Sequence, residues 1–372
     1  MIKIKTIAVM CIWTPFCLIS IAESETVKVT NRLNENRENE TISVSLQTVS
    51  TLSRFSTAHK PSVFSEFSNQ FIPCQLIDNN GDGKNEELIF QANFEPNQTQ
   101  IFHISDSNES QDVNTPFHTN AMFVPQRKDD FAWENDKIAF RMYGQELQKT
   151  ELTSSGIDVW VKKVKYPIML NLYTKGHDYL HSDNPEGVDF YNIGPTLGCG
   201  GLGVWSDGKL YRSENYYQWK IIANGPIRSI FELTYKPWQM GNKKVGETKR
   251  ISLDLGSNLN HIESRFDADV NDVIFAVGIV KCERGGQPYY ARDKSQLIYW
   301  QNPDANFGII GCAVILPNGA ARNESVDEEK NYLLLAKTNG KNSISYYAGA
   351  CWNKFSEFES EEKWLKFIAK KA

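Results

Sequence analysis

The chain has 372 residues, of which 41% are hydrophobic and 23% charged, and its formal net charge is −5 at pH 7. This composition supports a folded core, and the length exceeds that of one ordinary domain. The acidic excess argues against non-specific binding to nucleic acid, so an acidic ligand would require locally concentrated arginines.

Residues 1–22 have the pattern of a secretory signal peptide. Lys3 and Lys5 precede an apolar run from about Ile7 to Ile21, and Ser20-Ile21-Ala22 resembles a cleavage site. The run is short for a membrane span, so we expect removal, export to the periplasm and no membrane anchor. Five widely spaced cysteines then remain without a CxxC motif, which argues against zinc-knuckle and redox sites: Cys74, Cys199, Cys282, Cys312 and Cys351.

Most of the remaining chain is predicted to be β-structure. Short β-branched or aromatic runs alternate with turns rich in Asn, Asp and Gly, and few segments alternate helix with strand. Residues 23–115 form a predicted smaller N-terminal β module that ends in a polar linker, and residues 116–372 form a larger antiparallel β-sandwich. One short C-terminal helix is predicted, with Ser360 as its cap and Trp364, Leu365 and Ile368 on its apolar face.

An Asp/Asn/Gly-rich loop lies within the smaller module. Asp78, Asn80 and Asp82 alternate as in the first half of a calcium loop, and Glu86 could supply a later ligand. Ile89 stands where an EF-hand needs its bidentate Glu, and the flanking segments are strands. A structural calcium ion and a metal-free turn both fit this pattern. No cofactor is required by any other motif.

The segment Phe123–Gly144 combines arginines, acids and aromatic residues. In its second half Ile138, Phe140 and Met142 point to one side of an extended chain, whereas Arg141 and Tyr143 point to the other. Such a strand can form the floor of an anionic-ligand site, because a guanidinium matches a carboxylate. A half-solvated edge strand explains the same residue types.

Histidines and acids are concentrated between Gly176 and Gly203. The spacing of His177 and His181 would suit zinc on a helix, but Asn184-Pro185-Glu186-Gly187 interrupts a helix at once. General acid–base chemistry is better motivated, because histidine titrates near neutrality and an adjacent Asp can orient it. The alternative is that one histidine is packed and the other is on the surface.

The glycine cluster Gly198–Gly203 is followed by a predicted hairpin and by no Gly-Lys-Ser/Thr sequence. Phosphate-binding and dinucleotide loops need a helix at this point, so both are excluded. Close approach of the backbone to a sugar, with Trp205 as a stacking platform, fits the pattern better.

A second ionisable surface is predicted on the hairpin Lys249–Asp267. Arg250, Ser252 and Asp254 share one face of its first strand, and His261, Glu263, Arg265 and Asp267 share one face of the second. Antiparallel sheets commonly keep one wet face, which explains the pattern, and a concave ligand floor is the alternative.

Three long motifs resemble those of an exported bacterial family known as domain of unknown function 4861. They are RKDDFAWENDKIAFRMYG (Arg127–Gly144), YLHSD followed by GVDFYNIGPTLGCGG (within Tyr179–Gly201) and NGPIRSIFELTY (Asn224–Tyr235). The likeness covers nearly the whole mature chain. It implies a galactose-mutarotase-like supersandwich in the larger domain, which would bind sugars on a concave sheet.

The resemblance also implies an activity, the elimination of water across C4–C5 of a non-reducing-end uronic acid in ulvan-type oligosaccharides. That chemistry needs a neutralised carboxylate, a base for the C5 proton and an acid for the C4 hydroxyl. We expect Arg141 and Arg228 to bind the carboxylate, His181 to act as the base, and Tyr191 or Tyr143 to act as the acid. The remaining predicted substrate contacts are Arg127, Asp130, Trp133, Glu134, Asn135, Asp183, Asp189 and Trp205. A polysaccharide lyase, a mutarotase or epimerase, and a non-catalytic carbohydrate-binding protein are the alternatives.

Overall fold

The computed structural model describes residues 4–6, 24–47, 61–106, 117–152, 155–291, 293–317, 320–338 and 340–371. They divide into two compact units. The first comprises Met1–His118 with Gly225–Arg228, and the second comprises Thr119–Asn224 with Ser229–Ala372. The prediction of an all-β protein with antiparallel sheets and a short C-terminal helix is confirmed.

Two antiparallel sheets form the first unit, with strand orders β1-β2-β8-β4-β5 and β3-β7-β6. The strands are β1 (Ile4–Thr6), β2 (Glu25–Thr30), β3 (Arg37–Ser45), β4 (Pro61–Ser65), β5 (Gln70–Ile72), β6 (Cys74–Ile77), β7 (Glu87–Phe94) and β8 (Thr99–Asp106). Their apolar faces meet in one core around Val27, Phe90 and Phe102. Strand β1 lies inside the predicted signal peptide and pairs with β2. The rest of that peptide, like most of the predicted linker, lies outside the described residues.

Gly225–Arg228 is grouped with the first unit because Gln75 binds its backbone. The Gln75 Oε1 accepts hydrogen bonds from the amides of Ile227 (3.0 Å) and Arg228 (2.8 Å), and its Nε2 donates to the Arg228 carbonyl at 2.9 Å. A Cβ on Gly225 would lie 2.5 Å from the Gln75 Nε2, so a larger residue would displace this carboxamide.

Three antiparallel sheets form the second unit, with strand orders β13-β12-β11-β10-β9, β15-β14-β20-β25-β24 and β16-β17-β18-β19-β26-β23-β22-β21. The strands are β9 (Asn120–Val124), β10 (Asp130–Glu134), β11 (Ile138–Met142), β12 (Asp158–Lys162), β13 (Gly187–Val188), β14 (Cys199–Ser206), β15 (Lys209–Tyr211), β16 (Gln218–Asn224), β17 (Arg228–Met240), β18 (Lys243–Asp254), β19 (Leu259–Phe266), β20 (Phe275–Val280), β21 (Gly286–Ala291), β22 (Gln296–Gln301), β23 (Ile310–Ile315), β24 (Ala321–Asp327), β25 (Asn331–Ala336) and β26 (Ser343–Trp352). The helices are α1 (Gln145–Gln148), α2 (Met169–Lys175), α3 (His177–Leu180) and α4 (Glu361–Ala369).

One large apolar core contains side chains from all three sheets of the second unit, among them Phe140, Ile262 and Val277. The predicted alternation of β11 is confirmed, since Ile138, Phe140 and Met142 belong to this core. Ala139 belongs to a second core with Trp160 of β12. All five residues of β11 are buried, so the alternative of a half-solvated edge strand is wrong.

Helix α4 covers part of the outer face of the eight-stranded sheet. The Ser360 Oγ accepts a hydrogen bond from the Lys363 amide (3.4 Å), and Trp364 and Ile368 are buried, as the sequence predicts. On the same face, away from α4, Arg250 contacts Glu232 at 3.3 Å and Arg265 contacts Glu263 at 2.7 Å. Charged side chains on the ionisable face of the predicted hairpin thus pair with one another, as expected for a solvated sheet surface.

The cysteines that the structure describes are all free thiols, and four of the five are buried. Within the described ranges, no helix is both long and apolar enough to cross a membrane.

Candidate functional site

Strand pairing places a buried arginine opposite an aspartate. Arg141 of β11 is the register partner of Asp158 of β12, so their side chains share one face of the sheet. The Arg141 Nε donates to the Asp158 Oδ2 at 2.9 Å, and its Nη2 contacts the same oxygen. The Nη2 also donates to the Asp189 Oδ2 at 2.9 Å and to the Tyr143 hydroxyl at 3.0 Å. The guanidinium therefore already binds two carboxylates within the protein.

A third carboxylate, Asp130, completes this buried cluster. Its Oδ2 lies 3.7 Å from the Arg141 Nη1 and accepts a hydrogen bond from the Tyr173 hydroxyl at 3.2 Å. Among the described residues, no hydrogen-bond partner reaches the Asp130 Oδ1 or the Arg141 Nη1, although both atoms are buried. Burial raises the pKa of Asp130 to about 6, against the opposing effect of Arg141.

Three carboxyls around one guanidinium cannot all ionise at low cost. Burial raises the pKa of Asp189 well above its ordinary value, and repulsion from Asp158 raises it further. Burial also raises the pKa values of Tyr143 and Tyr173 well above their ordinary range. Burial therefore disfavours ionisation of the Asp189 carboxyl and of both phenols.

His181 links this cluster to solvent. It follows α3, and its Nδ1 lies 2.8 Å from the Asp189 carbonyl oxygen. Because a carbonyl only accepts, the Nδ1 must carry the hydrogen, and in the neutral ring the Nε2 holds the lone pair. Burial lowers the pKa of His181, which favours this neutral form. The Nε2 lies 3.9 Å from the Asp189 Oδ2, and the side chain is 36% exposed. His181 therefore presents a basic nitrogen beside the buried Asp189 carboxyl.

Three predicted substrate contacts instead stabilise the fold. Trp133 is fully buried and its indole donates to the Asn260 Oδ1 at 2.7 Å, so it cannot stack on a sugar. Glu134 pairs with Lys162 at 2.7 Å, and its carboxylate accepts the first amides of α2. Asn135 is buried, and its side-chain amide forms hydrogen bonds with backbone groups of adjacent turns. The predictions for these three residues are wrong because each polar group is already satisfied inside the protein.

The side chains of three further predicted residues contact other parts of the protein. Tyr191 is buried and its hydroxyl contacts the Cys312 Sγ at 3.4 Å, whereas its backbone hydrogen-bonds the Asp189 carboxyl, so its role as the acid stays a prediction. Asp183 is exposed and pairs with Lys163, which lowers its pKa through that hydrogen bond. Trp205 lines a separate cavity of about 340 Å³ on β14.

The two other predicted arginines have different positions. Arg127 ends a 3-10 turn at Pro125–Arg127 and is half-buried; its charge acts on Asp130 and lowers the pKa of that carboxyl, against the larger effect of burial. Arg228 belongs to the first unit, where Gln75 binds its backbone. Arg127 thus stands near the cluster, and the prediction for Arg228 remains a prediction.

The loop at Asp78 brings three carboxylates together in the first unit. One oxygen each from Asp78, Asp82 and Glu86 lie within 4.8 Å of one another, and within the described ranges no other group of three potential metal ligands is found. The Asn80 Nδ2 donates to the Glu86 Oε1 at 2.9 Å, so its amide holds a ligand in place. Although desolvation opposes it, the amides of Gly83, Gly81 and Asp82 lower the pKa of Asp78, which keeps it anionic. An oxygen-only donor set of this kind fits calcium.

Sequence reasoning missed Asp158 and Tyr173. Asp158 lies in the run Ile157-Asp158-Val159-Trp160-Val161, where both faces of the strand are buried. A lone acid in a continuously apolar strand is a detectable signal, because a buried carboxylate requires a partner. Tyr173 carries no such signal, because it belongs to a helix that the sequence did not predict.

The model of the family described as Domain of unknown function (DUF4861) matches residues 29–372. The chain is 31% identical over 374 residues to the uncharacterised protein P7 of Formosa agariphila, covering 95% of this chain and 91% of that protein. The chain therefore belongs to this family, as its motifs indicate.

Solved structures give weaker matches. A protein in glycosyl hydrolase family 38 from Enterococcus faecalis has a TM-score of 0.48 at 9% identity, over 90% of this chain and 44% of that one. An alpha-mannosidase from Enterococcus faecalis V583 has a TM-score of 0.47 at 8% identity, over 88% of this chain and 43% of that one. The chain spans less than half the length of either protein.

Proposed function

We propose that this member of the DUF4861 family is an oligosaccharide dehydratase, which eliminates water across C4–C5 of a non-reducing-end uronic acid in an ulvan-type oligosaccharide. The product carries a 4,5-unsaturated uronyl residue. The observation that carries the proposal is the state of His181. Its Nδ1–H is bound to the Asp189 carbonyl oxygen, its Nε2 holds the lone pair, and it lies beside the Asp189 carboxyl of the Arg141 cluster.

In the proposed reaction the His181 Nε2 removes the C5 proton. The electrons of the C5–H bond form the C4=C5 double bond, and the C4–O bond breaks. The Tyr143 hydroxyl protonates the departing oxygen, so that water leaves. Its raised pKa keeps this phenol protonated, and Arg141 at 3.0 Å stabilises the phenolate that forms. The cycle closes when His181, whose side chain is 36% exposed, releases its proton to solvent and the Tyr143 phenolate takes up a proton from water.

The substrate carboxylate must bind to a cationic side chain other than Arg141. Arg141 is 4% exposed and is bound to Asp158 and Asp189. We assign the substrate carboxylate to Arg127, which is half-buried and forms no ion pair among the described residues. Arg141 then positions the acids and stabilises developing charge through them.

The test is incubation of the purified protein with saturated uronyl-rhamnose sulfate fragments, followed by mass spectrometry and ultraviolet absorbance of the unsaturated uronate. We expect the loss of one water per chain without shortening. His181→Gln should abolish this change, whereas His177→Gln, at the neighbouring and more exposed histidine, should retain it. Unchanged turnover in His181→Gln would falsify the assignment of the base.

The same experiment separates the alternatives. Chain shortening with the same chromophore indicates a polysaccharide lyase, and anomer or epimer exchange without the chromophore indicates a mutarotase or epimerase. Binding without any product indicates a carbohydrate-binding protein.

We also propose export to the periplasm. Amino-terminal sequencing of the mature protein should begin after Ala22, and a mature chain that retains Met1 would contradict it.

A further inference from the structure

Phe355 is an exposed aromatic residue with a strained backbone. It follows β26, its φ is 57°, and it is 68% exposed. Among the described residues, every other one with φ in the left-handed region is Gly, Asn, Asp or Lys. A bulky residue rarely adopts this conformation, because its Cβ crowds the backbone, and such outliers cluster at functional sites. Burial does not explain this outlier, because most of the residue faces solvent.

A buried tryptophan supports the Phe355 ring from beneath the surface. The centroids of the Phe355 and Trp352 rings are 5.4 Å apart, with 33° between the ring planes. Trp352 is 4% exposed, and its indole donates to the Phe307 carbonyl oxygen at 2.7 Å. Phe355 is therefore an aromatic surface backed by a fixed side chain, which suits stacking on the apolar C–H face of a sugar.

The Phe355 ring borders the segment that follows the proposed base. The Lys163 Nζ lies 5.7 Å from the centroid of this ring. The same Nζ donates to the Asn184 carbonyl oxygen at 2.8 Å and pairs with the Asp183 carboxylate. Asp183 is two residues after His181, whose side chain is 36% exposed. Phe355 and His181 thus lie on either side of the same short segment.

A cation without a carboxylate partner is next to Phe355 in the chain. Lys354 is exposed, its Nζ donates to the Asn306 carbonyl oxygen at 2.8 Å, and it forms no ion pair among the described residues. An ammonium group has three hydrogens, so Lys354 can still donate to a ligand. The hydrogen bond from Lys163 lowers the pKa of Asp183, and the charge of Lys354 lowers it further. Lys354 therefore acts on the same segment that the Phe355 ring borders.

We propose that Phe355 and Lys354 form a subsite for the sugar that is linked to the uronic acid on its reducing-end side. The ring of this sugar stacks on Phe355, and Lys354 donates to one of its oxygen substituents. Because Lys354 is cationic, an anionic substituent such as sulfate binds more tightly than a hydroxyl. The inference rests on the proposed function, which places the uronic acid itself in front of His181.

The test is calorimetric titration of the full mature protein carrying His181→Gln with saturated uronyl-rhamnose sulfate fragments. This background lacks the proposed base, so binding is measured without turnover. Adding Phe355→Gly should weaken binding roughly tenfold, because the stacking contact is lost. Glycine adopts a positive φ without steric cost, so the unfolding midpoint should stay unchanged or rise. The matched control is Phe67→Ala, at a phenylalanine of the first unit that is 66% exposed, and it should bind as its parent does.

A second variant tests the charge of the subsite. Sulfated fragments should bind more tightly than desulfated fragments of the same length, and Lys354→Met should remove most of this difference. Equal binding by Phe355→Gly and its parent, the same loss in Phe67→Ala, or equal binding of sulfated and desulfated fragments would overturn the inference.

The outcome for the subsite is distinguishable from that for the proposed reaction. Binding that depends on Phe355, without any loss of water from the fragments in the wild type, would overturn the dehydratase assignment and support the subsite. Loss of water in the wild type, with binding that does not depend on Phe355, would overturn the subsite and support the dehydratase assignment.

Discussion

Asp130→Asn should make the stability of the protein less sensitive to pH. Asp130 is fully buried, and its pKa rises from 3.8 to about 6 on folding because burial disfavours the charged form. A shift of about two units corresponds to about 3 kcal/mol, at about 1.4 kcal/mol per unit. Asparagine has nearly the same shape as the protonated carboxyl and cannot ionise.

The sign follows from proton linkage. Between about pH 4 and pH 6 the folded protein holds a proton on Asp130 that the unfolded chain has released, so stability falls as the pH rises. This contribution is fully present below the unfolded pKa and is lost as the pH passes through about 6. The variant lacks this loss, so relative to the wild type it should gain about 2.5 kcal/mol between pH 4 and pH 7.5.

Urea unfolding of both proteins at half-unit pH intervals measures this difference. Asp207→Asn, at an exposed turn, is the control and should follow the wild type at every pH. A constant difference in the free energy of unfolding between wild type and Asp130→Asn across this range would refute the reasoning. It would show that the Asp130 carboxyl is not forced to hold a proton in the folded state.

Three further outcomes are expected. His181→Gln should lower kcat roughly 10²- to 10⁴-fold with little change in KM. Because burial lowers the pKa of His181, the wild-type kcat/KM should stay high below pH 6.5. A kcat/KM that already falls with decreasing pH above pH 6.5 would contradict a neutral His181 as the base. Tyr143→Phe should lower kcat by about the same factor in steady-state assays while leaving the fold intact by circular dichroism, and full activity would exclude Tyr143 as the acid. Calcium should raise the thermal unfolding midpoint of the wild type, and a chelator should lower it. Asp82→Asn should remove this difference. An unchanged wild-type midpoint on addition of calcium would mean that the loop needs no metal.

Local patterns were informative wherever the stabilising contact is close in sequence. The alternation in β11 assigned Phe140 and Arg141 to opposite faces, as the structure has them. Ser360 and the spacing of Trp364 and Ile368 predicted α4, because the cap and the apolar face lie within one short segment.

Helix α2 shows why other elements could not be predicted. Its N-cap residue, Ile168, has no capping side chain. The carboxylate of Glu134 accepts the amides of Ile168 and Met169 instead, from 34 and 35 positions earlier in the chain. No local signal exists when the cap comes from another strand. The same contact explains why Glu134 was mistaken for a substrate ligand.

The sequence alone determined the family, the all-β class and the two segments that carry Arg141 and His181, because these depend on residue order and local periodicity. Only the tertiary structure decided which acids surround Arg141 and which nitrogen of His181 is basic. Those properties depend on burial and on contacts between distant segments, such as Asp189 with Arg141 at 2.9 Å. Burial changes the free energy of an ionised carboxyl far more than its neighbours in sequence do, so the chemistry of the site is decided by packing.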